Sequence, residues 1–76
     1  MFADVIVDIS HESVDRPFEY IIPKNLEEVI RQGSRVNVPF GKGNRQKTGY
    51  VTAIKERAAF DESRLKSITS VVEKSV

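Results

Sequence analysis

The chain has no cysteine and no tryptophan, a single histidine and a single methionine, and no apolar run long enough to cross a membrane. Each absence removes a class of protein. Without cysteine there is no disulfide framework and no thiolate metal site, so the chain does not need an oxidising compartment. His11 alone cannot build a His/Cys metal centre, and no metal is expected. The start MFADVIVDIS is acidic and alternating, where a secretory signal needs a basic start and an unbroken apolar stretch. A cytoplasmic location without membrane contact is the expectation. The 76 residues make one domain at most. At that size a single core supplies only about 3–5 kcal/mol of net stability, which leaves little room for a catalytic cleft.

What is present is charge, unevenly spread. The net charge of +1 hides two opposed segments. Residues 1–30 carry Asp4, Asp8, Glu12, Asp15, Glu19, Glu27 and Glu28 against Arg16 and Lys24, a balance of −5. Residues 31–57 carry Arg31, Arg35, Lys42, Arg45, Lys47, Lys55 and Arg57 against Glu56 alone, a balance of +6, and the remaining residues cancel. The basic segment can meet phosphates locally, but a sequence pI of about 8.1 falls short of a duplex-coating protein. Any nucleic-acid contact should be small.

Alternation dominates the rest. Ala3, Val5, Val7 and Ile9 share one face opposite Asp4, Ile6 and Asp8, the period-2 pattern of a half-buried strand. In FEYII, Phe18, Tyr20 and Ile22 share a face with Glu19 and Ile21 opposite, and Pro23 ends the run. RVNVPF puts Val36, Val38 and Phe40 inward; TGYVTAIK supplies a fourth strand and SITSVVE a fifth. One short helix of about two turns fits between the second and third strands. Asn25 suits its N-cap, Glu28 stands three residues on as in a capping box, Leu26, Val29 and Ile30 share a face, and Gly33 provides the stop. The fold class expected is a small β-rich α+β domain, with about five strands in a barrel-like antiparallel sheet and one short helix.

Two motifs suggest catalysis and fail. GKGNRQKT, read from Gly41, differs from a phosphate-binding loop by Gln46 in place of its last glycine, and the residues after it read as strand where such a loop needs a helix. A hairpin turn is the simpler reading. SHESVD crowds Ser10, His11, Glu12, Ser13 and Asp15 together, but a nucleophilic triad is a spatial arrangement that adjacent residues seldom create. A solvated turn fits better. Asp4 and Asp8 read as acids on the outer face of an edge strand, where charge discourages edge-to-edge association.

The remaining constellation is RPFEY, with Glu19 between two aromatics, and VPFGKG, with flexible backbone beside cations. Rings and backbone can frame a nucleotide base while lysine meets phosphate, although the pattern alone favours Phe18, Tyr20 and Phe40 as core. Taken together, VIVDIS, DRPFEYIIP, GSRVNVPFGKG, TGYVTAIKE and RLKSITSVVE, in that order and spacing, resemble the amino-terminal domain of primosomal protein N′, the bacterial replication-restart DNA helicase. The resemblance spans essentially the whole chain.

It implies that residues 1–76 form a single 3′ DNA end-binding domain, part of a much longer helicase. Such a domain recognises the 3′-hydroxyl end of the nascent leading strand at a stalled or abandoned fork, tolerating any terminal base. Carried onto this chain, the pocket uses Phe18, Glu19, Gly41 and Lys66, with Lys42, Arg45 and Lys47 as candidate backbone contacts. Glu19 stands where the family resemblance leads one to expect aspartate; the extra methylene keeps the charge and moves the carboxylate outward. The implied partners are forked DNA, the remaining helicase domains, and, through the full-length protein, the primosome and single-stranded DNA-binding protein. The fragment needs no cofactor and is not itself an enzyme; ATP, zinc and the 3′-5′ helicase activity belong to the rest of the implied full-length protein. An SH3-like β-barrel adaptor that binds a protein segment is the competing expectation, since the strand count suits both.

Overall fold

A computed structural model describes residues 1–8, 16–59 and 61–72. The SHESVD cluster with His11, and the ends of the expected first and fifth strands at Ile9 and Glu73, lie outside the described residues. Five strands form: β1 Phe2–Val7, β2 Phe18–Ile21, β3 Arg35–Phe40, β4 Arg45–Lys55 and β5 Ser70–Val71. They make one antiparallel sheet in the order β2-β1-β4-β3-β5. β1 therefore lies inside the sheet, not at its edge as expected, and Asp4 pairs with Lys55 at 3.0 Å instead of guarding an edge.

The alternation read from sequence places the core correctly. Ala3, Val5, Val7, Tyr20, Ile22, Val36, Val38 and Val51 are buried together with Ile30 and Ile68, and Phe18 and Phe40 pack against this cluster from its margin. β4 is long because it serves two partners: residues 45–50 pair with β3 and residues 49–55 with β1. Its register to β1 shifts between Asp4 and Val5, leaving Thr52 as the extra residue of a bulge, with its hydroxyl donating to Asp4 O at 3.2 Å. A bulge bends and twists a strand, which lets β4 turn from one neighbour to the other. At the changeover Gly49 faces Val7 on one side and Val36 on the other.

The sheet is not closed into a barrel. β2 has four residues and β5 two, too little for a ladder between the edges. They are approached by a single parallel bridge: Ile21 N–H donates to Lys66 O at 2.9 Å and Ile68 N–H to Ile21 O at 3.0 Å. The segment then crosses to β3, where Thr69 N–H donates to Asn37 O.

The expected helix is also corrected. Lys24–Leu26 form a 3₁₀ turn capped by Pro23 rather than Asn25, followed by hydrogen-bonded turns in which the N–H groups of Val29 and Ile30 both donate to Leu26 O. Helix nucleation fixes several residues for one bond, and a segment this short gains too few bonds to offset it. Packing needs only Ile30 in the core and Leu26 beside it; Val29 is 55% exposed. Gly33 does end the segment, at φ +91°, with its N–H donating to Val51 O at 2.7 Å. No helix among the described residues is long and apolar enough to cross a membrane.

Candidate functional site

Three segments distant in sequence meet beside the open edge of β2. The first is the entry into β2, Arg16 to Tyr20; the second is Phe40 and Gly41 at the β3–β4 turn; the third is Arg64 to Lys66, leaving the second 3₁₀ turn, Glu62–Arg64. They line a solvent-open cavity of about 690 Å³. That volume falls within the range of small-ligand sites.

Alternation in β2 and β3 sends Phe18 and Phe40 to the margin of the core, where their rings meet edge to face, with centroids 5.1 Å apart and planes at 82°. This is a preferred arrangement of two ring quadrupoles. The Arg16 guanidinium lies over the Phe18 ring, 5.6 Å from its centroid. Below them Tyr20 is buried and donates its hydroxyl hydrogen to Pro39 O at 2.8 Å; burial pushes its phenol up to about 12. The lower wall is therefore fixed to the backbone that precedes the turn.

The turn follows from its residues. Phe40 pairs with Arg45, so Gly41, Lys42, Gly43 and Asn44 form the loop, with Gly41 at φ +76°, Asn44 at φ 49° and Asn44 N–H donating to Gly41 O. Glycine and asparagine are the residues that tolerate such angles. GKGNRQKT is thus a hairpin and its start, not a phosphate loop before a helix. Lys66 reaches across to it, Nζ donating to Gly41 O at 2.7 Å.

Glu19 alternates to the other face of β2. Its carboxylate, with 1% of the side chain exposed, accepts from Lys55 Nζ and from the backbone N–H of Ala59 at 3.0 and 2.9 Å. Lys55 also meets Asp4, Glu19's cross-strand neighbour. Hydrogen bonds to Glu19 first, then Asp4, raise the Lys55 ammonium above its ordinary 10.5.

The chain matches, over residues 4–76, the family model described as 3′DNA-binding domain (3′BD) of PriA. It is 43% identical over 72 residues to "Replication restart protein PriA" of Bacillus subtilis (strain 168). The chain belongs to the PriA 3′ DNA-binding domain family. That alignment covers 95% of this chain and 9% of the Bacillus protein, so the chain spans only a small part of the length of its relative.

In this 3′ DNA-binding domain, Phe18, Glu19, Gly41 and Lys66 all line the one cavity, although most of the chain separates the first two from the last. The other three expected contacts do not: Lys42 and Arg45 are exposed on the hairpin, and Lys47 pairs with Val38 in β3. Sequence reasoning missed Arg16 and Arg64, both exposed and both in the cavity wall. Arg16 opens the RPFEY stretch without a role assigned to it there, and the only signal for Arg64 was adjacency, two residues before Lys66.

Proposed function

We propose that the cavity holds the terminal nucleotide of a DNA strand that ends in a 3′-hydroxyl, without selecting its base. The observation that carries this reading is the convergence of Phe18, Glu19, Gly41 and Lys66 on one cavity of nucleotide size. Every base has a π-face, so a wall of aromatic rings accepts all four. Lys66, already aimed at the Gly41 carbonyl, keeps its remaining N–H donors for the backbone or hydroxyl of the terminal nucleotide. A free 3′ end lacks a following phosphate, so a cavity that fits only the terminal nucleotide would exclude a strand that continues past its 3′ carbon.

Glu19 has a supporting part in this reading, since its carboxylate turns to the other face of β2 and is paired with Lys55. Its bonds to Ala59 and Lys55 hold β2 and the chain beyond β4 together beneath the cavity.

In the whole protein the domain brings a restart helicase to stalled or abandoned forks at the nascent leading-strand end. The remaining domains there supply ATP-driven 3′-5′ unwinding and zinc binding, and the contacts to the primosome and to single-stranded DNA-binding protein, in the bacterial cytoplasm. A single-nucleotide site binds modestly alone and gains from other domains on the same fork.

The deciding experiment is fluorescence-anisotropy binding of the domain to otherwise identical strands ending in 3′-hydroxyl or 3′-phosphate, with Phe18→Ala and Lys66→Ala alongside. A hydroxyl preference that both variants weaken supports the reading. Equal binding to both ends removes it.

A further inference from the structure

The cavity is bordered by three cations, Arg16, Arg64 and Lys66, and by one acid, Glu19, whose carboxylate is buried and bound to Lys55. Lys66 is directed at Gly41 O. Among the described residues neither guanidinium is in an ion pair, and the only partner of Arg16 is the face of the Phe18 ring. Arg64 sits at the end of a short turn whose N-cap, Asp61, is occupied by Ser63: its carboxylate accepts from the Ser63 N–H and hydroxyl at 3.1 and 2.9 Å. That acid is thereby engaged away from the arginine.

We infer that Arg16 and Arg64 are the phosphate-gripping residues of this domain, holding the phosphodiesters of the single strand just 5′ of the nucleotide in the cavity. This rests on the reading that the cavity takes a 3′-terminal nucleotide, and it moves the backbone contacts from the basic hairpin to the cavity rim. The chemistry fits. Guanidinium groups present a planar fork of donors that matches phosphate oxygens and remain charged at any physiological pH. A phosphodiester entering the cavity from solvent meets Arg16 and Arg64 in its wall, whereas Lys42, Arg45 and Lys47 belong to the hairpin outside it. Arg16 also lies against Phe18, so a strand bound there would connect backbone and base contacts through adjacent residues.

The test is a salt titration of binding to 5′-labelled single-stranded oligothymidylate with a 3′-hydroxyl end. Arg16→Ala, Arg64→Ala, the double variant, and a Lys42→Ala/Arg45→Ala/Lys47→Ala triple variant are compared. On single strands each lost phosphate contact should flatten the slope of log K against log salt by about 0.7, so the double variant should lose about 1.4. The arginine variants should weaken binding evenly across the four terminal bases and keep the preference for hydroxyl over phosphate ends. The hairpin triple variant should leave the slope nearly unchanged. An unchanged slope in Arg64→Ala, whose guanidinium has no ion-pair partner among the described residues, with loss in the triple variant, overturns the inference while leaving 3′-end binding intact. Absence of any hydroxyl preference in the unmodified domain removes the underlying reading and the inference with it. Melting curves separate lost binding from lost folding; if Arg16→Ala melts early, Arg64→Ala decides.

Discussion

Both carboxylate oxygens of Glu19 accept the same backbone N–H, that of Ala59, at 3.0 and 2.9 Å, across 40 residues of sequence. The bond ties the second strand to the chain beyond the fourth, and Lys55 completes the tie from the side. A charged acceptor this buried is costly to disturb, because its partners are left without an equivalent. Glu19→Ala should lower stability by about 2–3 kcal/mol, and Glu19→Asp, which keeps the charge but shortens the reach, by about 1 kcal/mol. Urea unfolding of the three proteins checks the order. Equal stability of the unmodified domain and Glu19→Asp would mean that the reach to Ala59 contributes nothing.

The alkaline limb of the stability curve should be steep for two reasons that variants separate. Tyr20 ionises near 10.0 when unfolded but at about 12 in the folded protein, because burial opposes the phenolate. Between those values the folded form binds more protons than the unfolded one, so stability is fully present below pH 10 and falls as pH rises toward 12. Lys55 acts in the same direction: its raised pKa adds stability that is present below 10.5 and lost as pH climbs through the folded value. Chemical denaturation at rising pH, from neutral to about 12, should show this decline. Tyr20→Phe should cost about 1 kcal/mol at neutral pH by losing the bond to Pro39, and should flatten the decline. A decline as steep as that of the unmodified domain in both Tyr20→Phe and Lys55→Gln would contradict both assignments.

Gly49 sits where the fourth strand passes between its two partners, and the contact is too close for any side chain. A Cβ there would lie 2.6 Å from Ile6 O and 2.8 Å from Val5 Cγ1. Ile6 O is backbone inside the sheet and cannot turn away, so Gly49→Ala must spread the first and fourth strands. The expected cost is about 1–3 kcal/mol, the usual penalty for overpacking. Gly43→Ala, whose nearest neighbour is a flexible Arg45 carbon at 3.9 Å, is the matched control and should be close to neutral. Comparable loss in both would shift the cause from crowding to backbone flexibility.

Residues with a strict period of two were readable: Ala3, Val5 and Val7, Tyr20 and Ile22, and Val36 and Val38 all lie where alternation puts them. The local pattern failed where tertiary pairing decides. Leu26 and Ile30 stand four apart as on a helix, and one helical bond does join them, but the segment is too short to propagate. Closure was illegible because it depends on how β2 and β5 end, and the parallel bridge at Ile21 and Ser67 has no sequence signature. Arg16 and Arg64 escaped notice for an arithmetical reason. Arg16 belongs to the acidic first 30 residues and Arg64 to a tail whose charges cancel, so segment totals drew attention to the hairpin instead. Folding brings two isolated cations to one rim, which a running charge count cannot anticipate.

Lys66 and Gly41 form the latch between the segment before β5 and the β3–β4 turn, Nζ to carbonyl at 2.7 Å. The same carbonyl accepts the Asn44 N–H at 3.1 Å, so its direction is set by the turn, and the turn depends on φ +76° at Gly41. A Cβ at Gly41 would meet nothing within 4 Å, which makes Gly41→Ala a test of backbone angle alone. Its expected stability cost is about 1–2 kcal/mol, the strain of a left-handed conformation in an L-residue. Lys66→Met should cost less than about 1 kcal/mol, since the bond is solvent-exposed. The two residues share one carbonyl, so the double variant should be less damaged than the sum of the single ones, by about 0.5 kcal/mol or more. Thermal and urea unfolding of all four proteins complete the cycle. Strict additivity would mean that the latch does not depend on the turn, and Lys66 would then act at the cavity without help from the backbone angle at Gly41.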